Sequence, residues 1–263
     1  MFEKIANLFK KNKLVETDSS ASEQRLEDMS RQRNEAIDAG VKRGIEEHKN
    51  VDPFIGAKIG AKEINQRLLH ALKEERGVSA PRILRILGSL AGYACQEAVR
   101  GEMIAAGRDN WQSAFIIIED KKGRKYYSGD VLYSALLKNK YSVFGIVCGA
   151  ANQLGCSEYP DMIELVEYVT HSIGTERFGI PRFPGPPQDN NILIQDVRAL
   201  WPVVLPILMK YCDQPKLYPI SLSIALQEII RSGKDVIPPK RALSLIMECA
   251  VPMSKIDIDA DYS

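Results

Sequence analysis

The chain reads as mainly α: an irregular multi-helix single domain with one small β-hairpin, at about residues 113–127, packed on the helices. Three observations predict this. From Val51 onward, apolar residues recur at three- and four-residue spacing in one segment after another. Only the stretch from Ser113 to Tyr127 changes to short β-rich runs. A parallel α/β sheet would need several strands alternating with helices, and the sequence offers no second strand pair and no repeat of fixed period.

The elements follow in order. Residues 1–13, MFEKIANLFKKNK, place Phe2, Ile5, Leu8 and Phe9 on one helical stripe among Lys4, Lys10, Lys11 and Lys13. This is a short basic amphipathic pattern of the kind that lies on an anionic membrane surface or docks on its own domain. From Thr17 to about Asn50 the chain is strongly polar, with a thin stripe of Leu26, Met29, Ile37, Val41 and Ile45. It is expected to be a linker followed by a solvated helix. Residues 1–50 therefore form an arm, 51–254 the helical globular domain and 255–263 a tail.

Inside the domain, Ala61–Glu75 is a helix by its spacing of Ile64, Leu68, Leu69 and Leu72, stopped by Gly77. Ser79 and Pro81 open a second helix that runs to Ala106 and ends at Gly107. Ser113–Glu119 and Arg124–Tyr127 are strands joined by a turn closing on Gly123, and one face of such a hairpin must pack on helices to be stable. Asp130 is expected to cap a helix from Val131 to Lys138. Ser142–Leu154 is apolar nearly all round and is expected to be buried. Ser157 should cap a helix from Pro160 to Ile173, stopped by Gly174. Ile192–Cys212 contains Pro202 and Pro206 and should kink or divide. Ile220–Arg231 and Pro239–Ala250 are the last helices, the second ended by Pro252, and the tail is expected to fray.

Two helices carry glycines four residues apart, Gly88 with Gly92 and Gly145 with Gly149. Each helix-interior glycine costs about 1 kcal/mol against alanine, so both pairs are expected to be buried in close backbone contacts, against each other. By the same expectation, leucine at Gly149 would overpack its contact.

At 263 residues, 45% hydrophobic and 26% charged, the composition is that of an ordinary globular protein. A net charge of +1 argues against a large nucleic-acid face. Five cysteines, Cys95, Cys148, Cys156, Cys212 and Cys249, make an odd count in mostly apolar runs. They read as free thiols of a soluble protein in a reducing compartment, the cytoplasm by default. No secretory leader is expected, and the longest apolar candidate for a bilayer span, Ala199–Met209, is about half the roughly 20 residues needed.

The chain contains no phosphate loop, no dinucleotide-binding glycine motif, no nucleophile elbow and no C-x-x-C or H-E-x-x-H pair. Asp257, Asp259 and Asp261 resemble the start of a calcium loop, yet its glycine and closing glutamate are missing. No metal and no cofactor is expected. The surviving features are weak. The loop 175–190 holds Pro181, Pro184 and Pro187 at the period of a polyproline II turn. It also carries Glu176, Arg177 and Arg182, and His171 ends the preceding helix. Those four residues are the ligand-binding candidates, either as a pocket rim or with the loop as a stiff cover over Phe178, Ile180 and Phe183. Lys121, Lys122, Arg124 and Lys125 beside Tyr126 and Tyr127 read as a solvated turn, making nucleic acid an unfavoured partner. No catalytic residue is assigned. The leading expectation is a non-catalytic helical protein that binds a protein partner or forms a homo-oligomer. The arm would act as tether, and Phe2, Ile5, Leu8 and Phe9 would make any peripheral membrane contact. The alternative is an enzyme or small-molecule-binding protein with its site beside loop 175–190.

Overall fold

A computed structural model describes residues 21–75, 77–182 and 192–262, with side chains from Asp28 onward. The stripe at Phe2, Ile5, Leu8 and Phe9 lies outside the described residues. Among the described residues the fold is mainly helical with a single two-stranded antiparallel sheet.

Helix α1 (Ala21–His48) has 28 residues, a length of about 42 Å at 1.5 Å per residue. Met29 and Ile37 on it are exposed, while Val41 and Ile45 pack on the core and Asp38 meets Lys210 at 2.7 Å. Helix α2 (Ile55–Ala71) starts six residues before the expected Ala61, because Gly56 and Gly60 let its first turns press on Tyr211. A tight turn follows, with reciprocal backbone bonds between Glu74 and Gly77 and Gly77 at φ 97°.

Helix α3 (Ala80–Ala105) is the central element, buried along most of its length from Ile83 to Ala98. Pro81 sits in its first turn, as the spacing predicts, but Ser79 makes no side-chain capping bond. The hairpin comprises β1 (Ile116–Glu119) and β2 (Lys125–Ser128), in the register Ile116 to Ser128 through Glu119 to Lys125. The residues just before it, Trp111–Ala114, form a 3-10 turn instead of the strand start expected at Ser113. Gly123 closes the turn at φ 78°, and Asp120 ties it by accepting from the backbone N–H groups of Lys122 and Arg124. Helix α4 (Asp130–Tyr133) widens into a π-helix over Ser134–Lys138. Its cap position is Gly129; Asp130 lies in the first turn and pairs with Lys138.

Helix α5 (Val143–Gln153) is capped by Ser142, whose Oγ accepts from the Gly145 N–H. It buries only Val143, Val147, Ala150 and Ala151, since it rests on its neighbours by one side, and the expectation of all-round burial fails. Helix α6 (Met162–Ser172) is capped by Asp161, which accepts from Ile163 and Glu164, in place of the expected Ser157. Helix α7 (Ile192–Tyr211) runs as one element through Pro202 and Pro206. Both prolines are exposed, so the carbonyls that lose their donors lie on the solvent side and no break is needed. By length and composition α7 could cross a membrane, longer than Ala199–Met209 suggested, yet half of that window is buried inside the fold. Helices α8 (Tyr218–Ser232) and α9 (Pro239–Met253) complete the bundle, and α9 carries one turn past its expected end at Ala250 because Pro252 is accommodated inside it.

The glycine pairs behave differently from each other. A methyl group on Gly92 would sit 2.7 Å from the Cα and carbonyl carbon of Ala250, and one on Gly88 2.9 Å from the Ile246 oxygen. Their face is therefore the contact between α3 and α9. Gly145 faces the backbone of Asn139 and Lys140 just ahead of its own helix, and Gly149 is exposed with nothing within 4 Å. The expected pairing of the two glycine faces is wrong, and so is the expected burial of Gly149, where leucine would meet no contact to overpack. An interior glycine is tolerated at 149 without any compensating contact.

The tail does not fray. Lys255 and Ile256 are fully buried, and the Tyr127 N–H donates to the Lys255 carbonyl at 2.8 Å. Ile256 bridges Tyr126, so the segment occupies the edge of β2 that β1 leaves open. Arg198 then holds the carbonyls of Ile258 and Ala260, and Tyr262 is buried beside Tyr126 with its hydroxyl accepting from the Asp257 N–H.

The two glycines give a test of opposite signs. Gly92→Ala should destabilise by about 1–3 kcal/mol or more, because the obstructing atoms are backbone and cannot rotate away. Gly149→Ala should stabilise by about 0.5–1 kcal/mol through helix propensity alone. Urea unfolding of both variants measures this, and a destabilising Gly149→Ala would contradict it.

Candidate functional site

The four residues anticipated beside loop 175–190 do not converge. His171 is exposed, and its Nδ1 lies 2.8 Å from the Glu167 carbonyl of its own helix. Glu176 and Arg177 are exposed as well. Arg182 is committed elsewhere: its guanidinium donates to both Glu164 oxygens at 2.7 and 3.0 Å, lies 3.5 Å from Glu248 and covers the Tyr168 ring at 4.6 Å. Arg182 and its hydrogen bonds hold the Glu164 carboxyl below its ordinary range. The void between α6, this loop and α9 touches Arg177 and Arg182 and measures about 10 Å³, room for a single water. Phe178 is buried edge-on to Tyr126 at 4.9 Å, and Ile180 is half-buried, so both are tucked under the loop. Phe183, Pro184 and Pro187 lie outside the described residues.

A much larger concavity lies elsewhere. An open groove of about 1000 Å³ runs between the C-terminal half of α3, the loop after α1, the α4 region and the start of α8. Phe54 and Tyr141, with ring centroids 4.7 Å apart, join two of its walls. Val99, Met103, Val131 and Leu217 supply further apolar lining, and the rim carries Lys49, Arg108 and Lys216 beside Glu102 and Asp213. The α3 wall comes close to the Pro215 turn because Gly101 has no side chain; a methyl there would stand 2.6 Å from the proline ring. Sequence periodicity missed this groove, since its walls come from four separated segments. One local signal was present: Val131 and Tyr141 are large apolar side chains with no place on a buried stripe, and both are exposed.

Two buried polar clusters were also illegible. Lys255 is fully buried, and its ammonium donates to the Tyr133 hydroxyl at 2.7 Å and the Ser128 Oγ at 3.2 Å. The Ser128 and Tyr133 hydroxyls are 3.0 Å apart. Burial pushes the Tyr133 phenol up, but the hydrogen bonds from Lys255 and Ser128 and the ammonium charge outweigh it and bring the phenol below its ordinary value. Through Lys255 the trio fastens the C-terminal segment to β2 and α4. The second cluster is the Arg85–Asp196 pair, 3.0 Å apart, with Asp196 wholly buried. Among the described residues one Asp196 oxygen has no hydrogen-bond partner, and burial pushes this carboxyl up to about 6 against the pull of Arg85.

The thiols follow burial too. Cys95 and Cys249 are fully buried and Cys212 nearly so; burial raises all three, Cys212 to about 12. Among the described residues no three histidine, cysteine, aspartate or glutamate side chains gather as metal ligands.

Asp196 yields a pH prediction. Its folded value of about 6 lies above the ordinary 3.8, so the folded state holds the proton more tightly. Its contribution is fully present below pH about 4 and is lost as pH rises through 6, a change of about 3 kcal/mol. Asp196→Asn should abolish that component. The stability difference between wild type and variant, from urea unfolding at several pH values, should shift by this amount between pH 4 and 7.5; a constant difference would contradict it.

Comparison with known proteins gives no family model, no curated protein and no solved structure that matches this chain.

Proposed function

We propose that the chain is a non-catalytic helical protein that binds a protein partner in the groove between α3, α4 and α8. The observation that carries the proposal is the groove itself: open along its length, apolar at its floor and bordered by charges of both signs. That is the character of a surface that takes an amphipathic helix, whose anchors fill the floor while its polar side meets the rim. A small-molecule site would enclose most of its ligand. Beside the described part of loop 175–190, which ends at Arg182, the space is a single water's. Val131 and Tyr141, 44% and 45% exposed, are the side chains a partner would cover.

Affinity capture with three versions of the chain tests this. Wild type and Val236→Asp, altered in the exposed turn between α8 and α9, should retain the same partner, and Val131→Asp should lose it by tenfold or more. Equal capture by all three would end the proposal. Thermal melting of Val131→Asp should match wild type, because Val131 is exposed.

A further inference from the structure

The hairpin offers a second surface, since none of residues 116–119 lines the groove. The Asp120 N–H donates to the Arg124 carbonyl at 3.0 Å, which makes that pair a hydrogen-bonded one in the antiparallel ladder. By alternation, Ile118–Tyr126 and Ile116–Ser128 are the next such pairs. The backbone groups of Ile117 and Glu119 therefore point away from β2. The same alternation turns Tyr127 outward on β2, where its N–H meets the Lys255 carbonyl. One edge of the hairpin is thus covered by the C-terminal segment, and the other has no strand beside it among the described residues. On that open edge Ile116 is 65% exposed and Ile117 is 41% exposed, on opposite faces.

We infer that β1 pairs edge to edge, antiparallel, with β1 of a second copy of this chain. Unpaired N–H and C=O groups in a row select an extended strand as their partner. Isoleucine on both faces selects a strand that is apolar on both faces, and the chain carries one such strand in β1 itself. A two-fold axis through Ile117 sets Ile117 against its counterpart and Ile116 against the second copy's Ile118. The antiparallel arrangement also places the two Lys121-Lys122 turns at opposite ends of the four-stranded sheet, where a parallel one would stack like charges. Because β2 already has its partner in Ile256, each hairpin has one edge to give, and the assembly closes as a dimer and does not grow. Four residues a side bury far less than the roughly 1,200 Å² of a stable interface, so the dimer is weak and reversible.

Sedimentation equilibrium of the whole chain from about 10 to 1,000 µM tests this. Wild type should pass from monomer to dimer. Ile117→Pro removes an outward N–H without touching the β1–β2 ladder, and it should stay monomeric with unchanged melting. Ile116→Lys should do the same, and it decides alone if the proline variant fails to fold. A wild type monomeric throughout, dimerisation of both variants as strong as wild type, or growth beyond the dimer would each overturn the inference.

Discussion

The approach of α3 to α9 across Gly88 and Gly92 is the constraint on which the rest of the fold depends. Side chains normally hold helix axes 8–10 Å apart. Here Ile246, Cys249 and Ala250 meet the bare glycine face, so backbone lies on backbone. That closeness buries α3 along one side, while its remaining faces meet α7 and α8. Tyr93 lies edge-on to Trp201 at 5.0 Å, and Arg85 reaches Asp196 on the same helix. The Gln96 amide donates to the Ile256 carbonyl at 3.1 Å, which carries the alignment through to the C-terminal segment. A single helix therefore sets the height of every layer around it. A buried carboxylate with an unmatched oxygen is tolerated because the surrounding packing holds it in place.

The helical character, the hairpin and the turn at Gly123 were legible because they are local: periodicity, β-rich composition and a glycine with φ > 0 are each readable within a dozen residues. Misreadings arose where a local pattern has two physical outcomes. Gly149 and Gly92 look alike in sequence, yet one faces water and the other a carbonyl, and only the neighbouring helix distinguishes them. The prolines of α7 break a helix when their lost bonds point inward; here they point outward. The polar tail looked free because its partners, Tyr127 and Arg198, come from remote parts of the chain.

The candidate site shows the same division. His171, Glu176, Arg177 and Arg182 are near in sequence and share a loop, but a salt bridge to Glu164 turns Arg182 towards α6 and α9, and His171 turns back along its own helix. The groove is assembled from segments as distant as Lys49 and Ile220. No spacing rule links them. What unites the walls is geometry: the Phe54–Tyr141 ring contact and the close seat of Pro215 against Gly101.

The docking of the C-terminal segment has a consequence for the order of events in synthesis. The Ser128–Lys255 bond joins residues 127 positions apart, and Gln96 reaches across 160 to Ile256. Until a ribosome has delivered the chain through Ile256, the inner edge of the hairpin stays uncovered and α3 lacks the helix that fits its glycine face. The contacts of α3 with α7 and α8 can form earlier, but they leave the glycine face and the hairpin edge bare until α9 and the C-terminal segment arrive. Completion of the core is then a late step of synthesis, and the interval before it is when the nascent protein most needs to be shielded from its neighbours.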